Sequence, residues 1–149
     1  EVLYLLKNPG RNGPEMRSRV GHRMPLARTG IGKALMLDDS PQDWQRLYEI
    51  SLPAGGKSQF WPQHPQQSWE QMAQRMNEYV AGGYAFDLED NEPAIRCVAA
   101  PIRDASKRIV AAISIASTVP YMPLEKMAEL IPLIKGVTAR LSAELGLKV

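Results

Sequence analysis

Two apolar runs joined by a polar hexapeptide constrain this chain more than any other stretch. Ile95 to Ile102 and Ile109 to Ser117 are rich in branched and small apolar residues, and Arg103-Asp104-Ala105-Ser106-Lys107-Arg108 between them suits a hairpin turn. They read as an antiparallel pair at the centre of a sheet, with Gly83-Tyr84-Ala85-Phe86-Asp87-Leu88-Glu89-Asp90 bringing in a neighbouring strand. A turn centred on Ala105-Ser106 sets Arg103 against Arg108 and, counting back, Cys97 against Ser114. Period two then puts Ile109, Ala111, Ile113 and Ile115 on one face, and Val110, Ala112, Ser114 and Ala116 on the other.

Those faces are unequal. The branched side chains pack a core, whereas the small ones around Cys97 and Ser114 leave room that something else must occupy. One reading covers this face with a helix and buries the thiol and hydroxyl as satisfied core groups. The other makes it the floor of a small-molecule pocket.

The rest of the chain alternates turns with amphipathic helices. Val2 to Lys7 reads as a strand, Asn8 to Pro14 as a turn, and Met16 to Val20 as the return strand of a hairpin, followed by an irregular Gly21 to Pro25. The stretch Leu26 to Leu37 then runs into a helix with Thr29 as its N-cap. Gly30 and Gly32 in its first turn each cost about 1 kcal/mol relative to alanine. They allow either close packing on a strand or free N–H groups for an anion. Gly32-Lys33 lacks the rest of a phosphate-loop pattern, so a carboxylate fits better than a nucleotide.

Ser40-Pro41 opens the next helix, with Trp44, Leu47 and Tyr48 on its core side. Ser51 to Gln67 reads as a long loop with Gly55-Gly56 as hinges and Phe60, Trp61 and His64 in it. Ser68 caps a helix whose stripe is Trp69, Met72, Ala73, Met76 and Val80, ending at Gly82-Gly83. After a break at Val119 to Pro123, a closing helix over Leu124 to Leu145 presents Met127, Leu130, Ile131, Ile134, Val137, Leu141 and Leu145, with Pro132 expected to kink it. So wide a stripe serves a core and a dimer interface equally well.

Composition excludes several function classes. The 149 residues suit one domain, and a formal charge of +2 is too weak for direct nucleic-acid binding. One cysteine forbids an internal disulfide and fits a reducing, cytoplasmic setting, and no apolar run is long enough to span a bilayer. The start at Glu1, without methionine or signal peptide, is read as the beginning of a piece of a longer protein. His22 and His64 have no partner at metal-ligand spacing, so neither metal nor cofactor is expected. Cys97 as a nucleophile lacks an adjacent base, and Asp87, Glu89, Asp90 and Glu92 read more readily as a solvated edge than as an acid-base pair. The expectation is a binding site without catalysis. The rivals are a small-molecule enzyme using Cys97 or the Asp87 cluster, and a plain oligomerisation module.

The ordered set Pro25-Leu26, Gly30-Ile31-Gly32-Lys33-Ala34-Leu35, Gly83-Tyr84-Ala85-Phe86-Asp87 with Glu89, Cys97-Val98-Ala99-Ala100-Pro101-Ile102 and Val110-Ala111-Ala112-Ile113-Ser114 resembles the effector-binding domain of IclR-family transcriptional regulators over nearly the whole chain. The resemblance implies a GAF-like α/β (α+β) fold, a central antiparallel sheet flanked by helices on both sides. It also implies a winged helix-turn-helix DNA-binding domain N-terminal to this segment, through which operator DNA is bound, and assembly as homodimer or homotetramer. The effector it implies is a small carboxylate, such as a keto-, hydroxy-, sugar or aromatic acid. The positions resembling the family's ligand contacts are Asp87, Cys97 and Ser114, with backbone amides around Gly30, Ile31 and Gly32. Asp87 would accept from a ligand hydroxyl. Thr29, Ala116 and either Met16 or Arg17 are further candidates, and an inward Arg17 would strongly favour an acid. Departures from the family pattern are Ala116 for a second serine, Asp90 for a glutamate and Ala94 for a glycine.

Overall fold

The computed structural model describes residues 1–10, 16–52 and 67–148. Its centre is a three-stranded antiparallel sheet of β3 (Ala85–Leu88), β4 (Ile95–Arg103) and β5 (Ile109–Thr118), with β4 in the middle. Helices α1 (Gly30–Leu35), α2 (Pro41–Ser51) and α3 (Trp69–Gly82) build the core on one face, and α4 (Leu124–Glu144) covers the other. This is the expected mixed architecture, with helices on both sides of an antiparallel sheet.

Period two decides which core each strand residue joins. Ala85 and Ala99 pack with Ala34, Met36, Trp44, Met72, Met76 and Tyr79 beneath α1 to α3. Val98 and Ala100 point the other way, onto Met122, Met127 and Ile134, with Ile115 beside them. Small residues on the first face are what let α1 lie close to the sheet. Local signals place the helix ends: the Ser40 hydroxyl accepts from Asp43 N at 3.2 Å, Ser68 and Gln71 form a capping box, and Gly83 closes α3 with φ 69°.

Four sequence expectations change. The return strand of the N-terminal hairpin is β2 (Arg23–Met24), paired with β1 (Val2–Leu3), not Met16 to Val20. Thr29 caps α1 as expected, after a turn of 3-10 helix at Leu26–Arg28, but the helix stops at Leu35 and not at Leu37. The buried stripe of α3 is Met72, Met76 and Tyr79, while Val80 is exposed. On α4 Thr138 and Ser142 complete the buried stripe and Leu145 is exposed. Ser142 belongs inside because its hydroxyl donates to Thr138 O at 2.7 Å and accepts from Arg103 N at 2.9 Å, tying α4 to the end of β4. The loop residues Phe60, Trp61 and His64, with Gly55 and Gly56, lie outside the described residues.

The hairpin register also differs. Cys97 pairs with Ala116 and Ala99 with Ser114, because the turn is longer than a symmetric one and a bulge follows at Ile102/Arg103. Asp104 organises the turn, its carboxylate accepting from Ser106 N at 2.9 Å and Arg108 N at 3.2 Å, and Lys107 takes the left-handed region at φ 67°. The two one-residue offsets sum to a shift of two. The even shift keeps Cys97 and Ser114 on the same side as diagonal neighbours. Beyond the bulge the expected face fails: Ile109 packs with Ala112 in the α1-side core and not with Ile115, and Ile113 is exposed.

Candidate functional site

On the α1 face of the sheet, beside the start of α1, lies a cavity of about 60 Å³. Asp87, Cys97, Ser114 and Ala116 form its floor, from three adjacent strands. Thr29, Gly30 and Ile31 at the start of α1 form one wall. Tyr4 and Met16 close the opposite side, with Asn91 and Glu92 from the turn after β3. Arg17 does not line the cavity; its charge acts on Glu92 instead, so of the two alternatives Met16 faces inward.

Gly30 and Gly32 do different work. A Cβ at Gly30 would stand 2.3 Å from Cys97 Sγ and 3.4 Å from Asp87 N, so glycine lets α1 rest on the cavity floor. Gly32 lies away from the cavity, against Leu26, and its N–H is taken by the Thr29 hydroxyl at 3.0 Å. The close-packing reading of both glycines is the one the structure supports, and Gly32 leaves the group of residues placed at the pocket.

The acidic run is not a solvated edge. Asp87 is 6% exposed, and its Oδ1 accepts from Asp90 N at 2.8 Å. Asp90 is paired with Lys33, whose ammonium is fully buried and also donates to Phe86 O at 3.1 Å. Arg75 Nη1 approaches Asp90 Oδ1 at 3.2 Å, and Arg28 donates to the Asp90 carbonyl through Nε at 3.1 Å and Nη2 at 2.9 Å. One aspartate thus ties α1, α3 and the 3-10 turn to the loop bordering the cavity. Ala94, later in that loop, takes the left-handed region at φ 61°, the conformation that a glycine there would hold without strain.

Electrostatics separates the two aspartates. Burial pushes the Asp87 carboxyl up to about 7, against the opposing pull of Lys33. Burial also acts on Asp90, but the Lys33 charge and hydrogen bond, with Arg75, outweigh it and hold Asp90 below the usual carboxylate range. Burial, then the Asp87 charge, drive the Cys97 thiol up to about 12, so it stays protonated and is no nucleophile. Burial likewise raises the Tyr4 hydroxyl to about 12.

The raised Asp87 gives a pH dependence with a definite sign. Unfolded, this carboxyl titrates near 4; folded, near 7, so between these values the native state binds the extra proton. Its contribution is complete below about pH 4 and is lost as pH rises toward about 7, at up to about 1.4 kcal/mol per unit. Asp87→Asn keeps the acceptor for Asp90 N–H and cannot ionise. Its stability relative to the parent should therefore rise from pH 4.5 to pH 7.5 in urea denaturation series, about these two values. A constant difference would show that Asp87 is ionised throughout.

Tyr4, Lys33 and Arg28 were not singled out by the sequence reading. Tyr4 had a signal: with Val2 buried and Leu3 exposed, period two turns Tyr4 inward. Lys33 had none, because its partner is 57 residues away.

Residues 1–143 match the family model described as Bacterial transcriptional regulator IclR C-terminal. The chain belongs to this family. Among curated relatives, this IclR C-terminal domain is 28% identical to the HTH-type transcriptional regulator XynR of Escherichia coli, over 98% of the chain and 56% of that protein. It is 25% identical to KdgR of the same species, over 97% and 53%. Solved structures agree: the Agobacterium tumefaciens repressor BlcR superposes with TM-score 0.74 at 26% identity, over 93% of this chain and 53% of that one. The Thermotoga maritima IclR gives 0.75 at 26%, over 92% and 53%. The chain spans about half the length of the curated relatives it matches. The family is one of transcriptional regulators, so the enzyme alternative falls with the membership as well as with the protonated thiol. No helix among the described residues is long and apolar enough to cross a membrane.

Proposed function

We propose that the domain is the effector-sensing part of a cytoplasmic, DNA-binding transcriptional repressor, and that its effector is a small carboxylate held in the cavity between α1 and the sheet. One observation carries this reading: polar residues from three strands and one helix start, Asp87, Cys97, Ser114 and Thr29, line a space that no side chain among the described residues fills. The cavity has volume for about four water molecules and so takes a ligand of a few heavy atoms, or a larger one if the neighbouring loops move. The Ser114 hydroxyl and the Ile31 backbone N–H are the donors proposed for the acid.

DNA contact belongs to a winged helix-turn-helix domain preceding this one, in keeping with relatives about twice its length that are named as HTH-type regulators. Assembly as a dimer or tetramer is supported by exposed apolar side chains at Leu5 and Leu6 and at Val110 on β5. The effector shifts the balance between arrangements of that assembly, by no more than its difference in affinity for them.

The test is thermal denaturation of the domain with glycolate, pyruvate, gluconate and benzoate. An acid at one hundred times its dissociation constant adds about 2.7 kcal/mol and a visible rise in Tm. Ser114→Val removes the hydroxyl and Ala116→Leu fills the cavity, so both should abolish the rise. A parental response that survives both variants moves the ligand elsewhere, and absence of any response leaves an oligomerisation module.

A further inference from the structure

The groups facing Asp87 pose a problem for an acidic ligand. The titratable side chains that line the cavity with it are Tyr4 from the N-terminal segment, Cys97 from β4 and Glu92 from the turn after β3, all of them acids. No lysine or arginine is among the described residues of the lining. Among the described residues, Lys33 on α1 and Arg28 on the 3-10 turn sense Asp87, but their hydrogen bonds go to Asp90 and Phe86 O. Lys7 and Arg17 act on Glu92, and the Lys7 ammonium donates to Met16 O and Ser18 O. Asp90 adds a further negative charge beside Asp87. A carboxylate entering here would meet an ionised Asp87 across a few ångströms of low-dielectric space with no lining cation between them.

We infer that Asp87 meets an acidic effector in its protonated form, as a hydrogen-bond donor, so that the cavity takes up a carboxylate together with one proton. This rests on the reading of the cavity as the effector site and assigns Asp87 the opposite role to that of acceptor from a ligand hydroxyl. The balance is simple: above neutrality the free domain carries Asp87 ionised, and binding draws one proton from solvent onto its carboxyl, where an O–H···O⁻ bond to the ligand holds it. Burial, which already favours the neutral carboxyl, makes that proton easy to retain near neutral pH. The sensor then responds to acid and proton together, and is more sensitive in an acidified cell.

The experiment is titration calorimetry of the domain with pyruvate, glycolate and gluconate, and with pyruvamide as a neutral isostere, between about pH 5.5 and 8.5, where these acids stay ionised. Each pH is repeated in buffers of different ionisation enthalpy, which reads proton uptake directly. The expected result is acid affinity falling about tenfold per pH unit on the alkaline side, with uptake approaching one proton. Pyruvamide affinity should change far less over the same range. Asp87→Asn, which keeps a donor and cannot ionise, should bind the same acid with affinity independent of pH. Acid binding that is flat with pH and releases or takes up no proton overturns the inference while leaving the effector site intact. Failure of the acids and the amide to bind at any pH removes the site reading and the inference with it.

Discussion

Asp90→Ala should lower the stability of the domain by about 3–5 kcal/mol, because it leaves the fully buried Lys33 ammonium without its counter-charge. The same change strips Arg75 and the Leu88 N–H of their acceptor. The measurement is the urea midpoint at pH 7, read with the slope m to confirm that the same surface unfolds. Lys33→Met is a useful partner, since its unbranched chain fills the lysine's volume without a charge. In the double variant the charge stranded by Asp90→Ala is gone, so the combined loss should fall short of the sum by about 0.5–3 kcal/mol. Strict additivity would mean that the pair is held apart by water in solution. The cavity should follow stability here, because the Asp90 carboxylate, through Lys33, Arg75 and the Leu88 N–H, anchors the turn from which Asn91 and Glu92 reach it.

Gly32→Ala has an expected effect of similar size by a different route. A Cβ there would lie 2.0 Å from the Leu26 carbonyl oxygen and 2.5 Å from Leu26 Cα, and backbone cannot swing aside as a side-chain tip can. Either α1 lifts from the 3-10 turn or the turn opens, and both break the Thr29 cap. The cost should reach the upper end of overpacking, about 3 kcal/mol, or a fall in Tm of about 6–12 °C for a domain of this size. Gly136 on α4 is the control, because a Cβ there meets nothing within 4 Å. Gly136→Ala should stabilise the helix by about 0.5–1 kcal/mol. Equal effects at the two positions would show that helix propensity, not close approach, governs Gly32.

The physical reason that so much of this fold is legible along the chain is that most of its signals are local. Ser40, Ser68 and Gly83 mark helix ends through contacts within four residues, and Thr29 does the same for α1. The two-faced hairpin is legible because side-chain parity survives a register error of two. That is why Asp87, Cys97 and Ser114 could be put on one floor even though the opposed pair is Cys97 with Ala116. The family resemblance adds order to these motifs, and the match over residues 1–143 shows the membership.

What the sequence by itself determined, then, is the order of the main helices and the three central strands, the shared face of Asp87, Cys97 and Ser114, and with it the candidate floor of a pocket. Tertiary structure alone decided what is enclosed there. The bulge at Ile102/Arg103 set the register, and the docking of Leu26 on Gly32 removed one glycine from the pocket. Burial of Lys33 against Asp90, far apart in the chain, turned an apparently solvated acidic run into a buried network. The charge state of Asp87 was likewise beyond reach of the sequence, since desolvation and the field of neighbours exist only once the chain has closed around it.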